Sequence, residues 1–232
     1  TFTAISIPLQ KEFLSVAKEF IDKGLIKGIR LSTRPDNIDL NIVKMLKEYG
    51  VTTVELGVQS LDNKVLSLSE RGYRKEEVER AVKLLKDFQI EVGIQIMPGL
   101  PGSSFKSDLQ TVKEVIEMKP NFTRVYPTLV ISDTKLEKMF KNNEFVPLSL
   151  DEAVDLTSGI IAMLENCKIP IIRVGLQPSE DIREEGVIVA GPFHPAFREL
   201  CESNIYRLFF EEKLITCEKI IVKVSHRDVS RV

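Results

Sequence analysis

Along most of this chain the hydrophobic positions switch between a helical and a strand period, and the switch points define its elements. Phe13, Val16, Ala17 and Phe20 recur at helical spacing as far as Gly24, which predicts a helix over roughly residues 8–23 with Pro8 in its first turn. IKGIRLSTRPD then reads as a short strand that stops at Arg34, because the residue before a proline is pushed away from helical geometry. Ile38, Ile42, Met45, Leu46 and Tyr49 predict the next helix, with Gly50 ending it in a left-handed cap.

The stretch from Val51 to Gly102 carries the clearest pattern. VELGVQS and IQIMPGLPG are apolar, β-branched runs suited to buried parallel strands, and each ends in polar or Gly/Pro positions. Between them Val78, Ala81, Val82 and Leu85 trace one helix face. This is a βαβ unit with Gln59 and Ser60 at one strand mouth and Gln95, Met97 and Pro98 at the next. In a β/α barrel such mouths hold the ligand.

Leu109, Val112, Val115 and Ile116 repeat the amphipathic pattern up to Pro120, and FTRVYPTLVI reads as one strand with Tyr126, Pro127 and Thr128 at its mouth. Ser149 and Glu152 have capping-box spacing ahead of Ala153, Leu156, Ile160 and Leu164. Pro170 to Leu176 is the last clear strand, followed by Gln177 and Pro178, so residues 1–178 hold five strand and helix alternations. From Ser179 the alternation weakens. EDIREEG is a charged loop, VIVAGPFHP a short strand or connector, Phe197, Leu200, Cys201 and Leu208 a helix face, and CEKIIVKVS a strand with Ile221 and Val224 as core. Residues 179–232 are thus expected to form a small α+β extension.

Composition narrows the class further. With 232 residues, 43% of them hydrophobic, the chain can bury a large core, and 32 basic against 34 acidic residues give no overall field for nucleic acid. Without a long apolar run or a leader-like start, the expectation is a cytoplasmic protein with no membrane contact. Cys167, Cys201 and Cys217 are too scattered for a disulfide framework and read as buried free thiols. His194 and His226 have no second ligand at metal spacing.

STRPD, LKEYGVTTVELGVQSLD, ERGY, IQIMPGLPG and VYPTLVI, in this order, resemble the radical S-adenosylmethionine enzymes. The similarity is greatest to the branch of the elongator catalytic subunit, with oxygen-independent coproporphyrinogen III oxidase a more distant cousin. The resemblance covers about residues 1–177. It implies an α/β fold, a partial (β/α)6 TIM-like barrel, of which this chain would hold five strands and lack the first. It also implies S-adenosylmethionine and a [4Fe-4S] cluster as cofactors. The family's CxxxCxxC cluster loop is absent and expected upstream of Thr1, so that this stretch by itself would not make the radical.

Residue by residue, the resemblance places Thr1, Phe2 and Thr3 at the tail of a glycine motif facing the cofactor's amino group, and gives Gln59 and Arg71 cofactor-holding roles. An arginine fork pairs a carboxylate bidentately, and a glutamine both donates and accepts. Ser32 stands where relatives often have glutamate, beside Arg34. Gln95 replaces an aspartate that binds ribose hydroxyls in the coproporphyrinogen enzymes, and Tyr73 replaces a histidine. With Ser60 and Met97 these complete the expected cofactor wall, on which Gln59, Arg71 and Gln95 should converge. The implied partners are a transfer RNA substrate and an electron donor such as flavodoxin or ferredoxin.

Plainer readings stay open at this point. Arg71 can be an ordinary surface arginine, Gln59 a partner for buried backbone groups, Met97 core filling, Arg34 and Asp36 a surface pair, and GLPG only a turn. For the whole chain the alternatives are a non-catalytic barrel that binds RNA or protein, and a coproporphyrinogen-type tetrapyrrole enzyme.

Overall fold

A computed structural model describes residues 1–176, 186–215, 221–226 and 229–231. Its centre is a parallel five-stranded sheet in the order β1-β2-β3-β4-β6, formed by β1 (Ile29–Thr33), β2 (Val51–Gln59), β3 (Glu91–Ile96), β4 (Phe122–Val125) and β6 (Ile171–Val174). Parallel neighbours require crossovers. These run through α2 (Leu40–Glu48), α3 (Asn63–Leu68) with α4 (Lys75–Asp87), α5 (Phe105–Glu117), and α6 (Lys135–Lys141) with α7 (Leu150–Asn166), while α1 (Ile7–Asp22) leads into β1. A separate antiparallel pair joins β5 (Val130–Ile131) to β7 (Ile188–Ala190), and α8 (Phe197–Leu214) follows.

Side-chain alternation separates the two sheet faces. Val54, Leu56 and Val58 on β2, Val92, Ile94 and Ile96 on β3, and Val125 on β4 are buried under Val78, Ala81, Val82 and Leu85 of α4, Val112 and Val115 of α5, and Ile160, Ile161 and Leu164 of α7. Thr53, Glu55, Gly57, Gln59, Gly93, Gln95, Phe122, Arg124 and Tyr126 occupy the opposite, concave face. Gly93 makes room for the Phe122 ring lying across β3, which a Cβ there would overlap.

Several expectations change. FTRVYPTLVI is not one strand: pairing stops at Val125, and Val130–Ile131 joins the other sheet. Pro127 in the gap has no N–H to donate to a ladder. The apolar face of α1 points outward, with Phe13, Val16 and Phe20 at 53%, 56% and 45% exposure, while Gln10 and Leu14 are buried. Cys167 is exposed at the end of α7, and only Cys201 of the two described cysteines is buried. Ile221–Ser225 form no strand, and Ile221 and Val224 are exposed rather than core. Leu208 is exposed as well. Gln177, Pro178, most of EDIREEG, and Cys217 lie outside the described residues. The described part of α8 packs on α7, where Ser158 Oγ donates to Val154 O at 2.7 Å and Cys201 O at 3.0 Å. Among the described residues no helix is long and apolar enough to cross a membrane.

Candidate functional site

β2 ends in an unusual backbone. Gln59 has φ of +67°, a region disfavoured for residues with a Cβ, and the β2–β3 register shifts between Gly57 and Gln59. Gln89, Lys119 and Lys168 share that region but follow the ends of α4, α5 and α7, where left-handed residues commonly close helices. At Gln59 the turn instead carries the chain out of a strand. Its carbonyl accepts from Met97 N at 2.9 Å, tying the β2 and β3 mouths together, and Gln95 Nε2 donates to Gln59 Oε1 at 3.2 Å. That bond uses one donor and one acceptor, leaving Gln59 Nε2 and Gln95 Oε1 for a ligand.

Arg71 arrives from the turn after α3. Glu70 and Gly72 on either side have φ of +49° and +75°, and Arg71 N bonds Leu66 O at 3.0 Å. A Cβ built on Gly57 would lie 2.9 Å from Gln59 Nε2 and 4.0 Å from an Arg71 terminal nitrogen, so glycine here lets both side chains crowd over the strand. Arg71 Nε contacts the Tyr73 hydroxyl at 3.4 Å, and its terminal nitrogens have no hydrogen bond among the described residues. Tyr73 is buried and donates toward Gly57 O at 2.7 Å and Val58 O at 3.0 Å. Burial pushes its phenol above the usual range, while Arg71 and Arg34 pull the other way.

Arg34 secures the turn from the β1 side. It pairs Asp36 through two bonds of 3.0 and 2.7 Å, donates to Arg71 O at 2.6 Å, and lies 5.5 Å from the Tyr73 ring centre. Its hydrogen bond with Asp36 raises its pKa further. Arg34 is thus a brace for Arg71, more than the surface pair with Asp36 that its sequence neighbours suggested.

The GLPG turn is built in rather than incidental. Asp108 in the first turn of α5 accepts from Gly99 N at 2.9 Å and Ser103 Oγ at 3.2 Å, and burial pushes its carboxyl up to about 6. Below the mouth, Glu55 is shared by Arg30 of β1 and Arg124 of β4. Arg124 Nη2 donates to Glu55 Oε1 at 3.1 Å, and Nη1 to Tyr126 Oη at 3.1 Å. Arg30 also stacks on Phe122, 4.4 Å from its centre.

The expected residues thus divide. Gln59, Gln95 and Arg71 gather at one mouth, with the half-buried Met97 joined to it through its backbone. Ser32 is exposed on the concave side of β1, opposite Glu55. Thr3 is buried and held to the end of β1, its hydroxyl 2.5 Å from Thr33 Oγ1, with Thr1 exposed and Phe2 half-buried beside it. Ser60 points away from the mouth toward α5: its hydroxyl sits 3.3 Å from Thr111 Oγ1 and accepts from Asp62 N at 3.1 Å. Sequence reasoning missed the Glu55 network and Gln10, which holds Thr3 O at 3.3 Å and Ile5 O at 2.7 Å. A carboxylate inside a strand otherwise made for burial was the available signal at Glu55.

The model of the Radical SAM superfamily matches residues 1–115, and that of the Radical_SAM C-terminal domain residues 120–207. The chain belongs to the radical SAM superfamily. This radical SAM chain is 39% identical over 131 residues to a tRNA uridine(34) acetyltransferase of Methanocaldococcus infernus, a match covering 55% of the chain and 24% of that protein. It is 28% identical over 218 residues to Homo sapiens Elongator complex protein 3, covering 92% and 39% of the two. The solved archaeal Elp3 of Methanocaldococcus infernus with an N-terminus deletion superposes with a TM-score of 0.74 at 29% identity, covering 92% of this chain and 53% of that one. Escherichia coli coproporphyrinogen III oxidase shares the fold, with a TM-score of 0.57 at 19% identity over 68% of this chain and 37% of its own. The chain spans 24% to 39% of the length of these curated relatives.

The superfamily implies S-adenosylmethionine and an iron–sulfur cluster. The cluster does not fit the described residues, among which no three His, Cys, Asp or Glu side chains gather, and Cys201 is buried in the α7–α8 packing. The nucleoside cofactor does fit the mouth, where an arginine fork and a free amide donor and acceptor stand together.

Proposed function

We propose that this chain forms the S-adenosylmethionine-holding half-barrel of an elongator-type enzyme that modifies transfer RNA. The reading rests on the convergence of Arg71, Gln59 and Gln95 over Gly57. Bound S-adenosylmethionine supplies the sulfonium centre at which the family's radical chemistry starts. Arg71 pairs the cofactor's carboxylate with its terminal nitrogens, while Arg34 and Tyr73 hold the arginine in place. Gln59 Nε2 and Gln95 Oε1 bind the vicinal ribose hydroxyls, each of which can donate and accept. Asp108 fixes the Gly99 turn that walls the same mouth. The name of the archaeal relative, a tRNA uridine(34) acetyltransferase, supports the RNA substrate, and an electron donor and a cytoplasmic location complete the reading.

Titration with 5′-deoxyadenosine, read by side-chain amide NMR, tests the placement. The Gln59 and Gln95 amide pairs should both shift. Saturable binding that leaves both unmoved would overturn it.

A further inference from the structure

β6 ends one side of the parallel sheet, and Arg173 on it is the direct cross-strand partner of Arg124 on β4. Like charges at such positions destabilise a sheet. Arg124 is compensated, since Glu55 and the Tyr126 hydroxyl take its N–H groups. Arg173 is half-buried and has no hydrogen bond or ion pair among the described residues. It lines a cavity of about 380 Å³ that extends to Leu176 at the carboxyl end of β6. The other charged walls are Arg198, Glu199, Glu202 and Arg231, with His194 beside them. Glu202 is already held by Arg198 at 2.7 Å and Arg231 at 2.9 Å. Arg198 also caps the free edge of β6, donating to Ile171 O at 3.1 Å. Among the described residues Arg173 is therefore the cation of this cavity whose donors are unspent, kept beside a second arginine without a counter-ion.

We propose that Arg173 anchors an oxyanion, and that the cavity beside β6 takes a phosphate ester of the nucleic-acid substrate. A guanidinium offers two parallel N–H groups to phosphate oxygens, and a nucleic acid presents one phosphate per residue. The subsite rests on the RNA-modifying reading above and adds to it the place where the substrate backbone is held. Carboxylate recognition stays with Arg71, so the two anions have separate forks.

Calorimetric titration at low salt with uridine 5′-monophosphate and uridine as probes tests this. The unaltered chain should bind the monophosphate at least about tenfold more tightly than the nucleoside, the range of one charge-assisted contact. Arg173→Gln should abolish that difference, Arg173→Lys should keep part of it, and Arg207→Gln, at a side chain paired with Glu211 outside this cavity, should keep all of it. Equal affinity of the unaltered chain for both probes, or an unchanged difference in Arg173→Gln, overturns the subsite. If the glutamine variant melts early, the lysine variant decides, since losing the whole difference with the charge retained also speaks against charge recognition. A parallel titration with S-adenosylmethionine separates the two ideas: failure there with the phosphate preference intact removes the cofactor reading and leaves the subsite standing.

Discussion

Replacing Asp108 by asparagine should make the protein more stable at neutral and alkaline pH. Burial raises the carboxyl from 3.8 to about 6, and the bonds from Gly99 N and Ser103 Oγ only partly offset it. A group whose folded pKa lies above its unfolded value gives stability that is fully present below the unfolded pKa and is lost as pH rises through the folded one. Here that window runs from about 4 to 6. At about 1.4 kcal/mol per pKa unit, ionised Asp108 lowers stability by about 3 kcal/mol at pH 8 relative to the neutral acid. Gly99 N and Ser103 Oγ donate to the same carboxylate oxygen, and the asparagine oxygen can accept both at any pH. Urea unfolding followed by circular dichroism from pH 4 to 8 reads the effect. The variant should match the unaltered chain near pH 4 and exceed it by up to about 3 kcal/mol at pH 8. Parallel pH profiles, or a variant weaker at pH 8, would refute the burial argument.

Other consequences concern the concave face and the core. Gly93→Ala should destabilise by about 1–3 kcal/mol in the same unfolding assay, because its methyl must displace the Phe122 ring and with it Arg30. Glu55→Gln leaves Arg30 and Arg124 without their shared carboxylate; its loss should be about 2 kcal/mol, below the value for a fully buried pair because those side chains are 42% and 25% exposed, and should fall with added salt. Burial pushes the Cys201 thiol up to about 12, so maleimide at pH 7.5 should label Cys167 in native protein and reach Cys201 only after unfolding, as peptide mass mapping would show.

Much of the fold was written in periodicity. The strands of the Val51–Gly102 unit alternate, with Val54, Leu56 and Val58 of β2 and Val92, Ile94 and Ile96 of β3 under the helices and Thr53, Glu55, Gln59 and Gln95 on the concave face, and α4 shows its buried stripe without ambiguity. Period alone does not say what a stripe faces: α1 has one as clear, yet Phe13, Val16 and Phe20 lie outward while Gln10 turns inward to hold Thr3. The short α3 and α6 went unseen because six or seven residues show less than two apolar turns; their caps, Asp62 and Thr134, were the usable signs. At the site, Gln59, Gln95 and Arg71 were found through motif resemblance. Arg34 was named with them, but its hold on Arg71 was not foreseen, and the Glu55–Arg124 pair below the mouth was missed, since these contacts join different strands and turns that only the three-dimensional register brings together. Ser60 shows the opposite limit: adjacent to Gln59, it faces the other way because side chains alternate at a strand end.

Arg71, over Gly57 and beside Gln59, is proposed as the carboxylate fork of an S-adenosylmethionine site. Calorimetry with S-adenosylmethionine and with 5′-deoxyadenosine, which lacks the carboxylate, against the unaltered chain and Arg71→Gln tests it directly. Arg71→Gln should weaken S-adenosylmethionine at least about tenfold and leave 5′-deoxyadenosine nearly unchanged. Equal weakening of both ligands, or no weakening of S-adenosylmethionine, would contradict it.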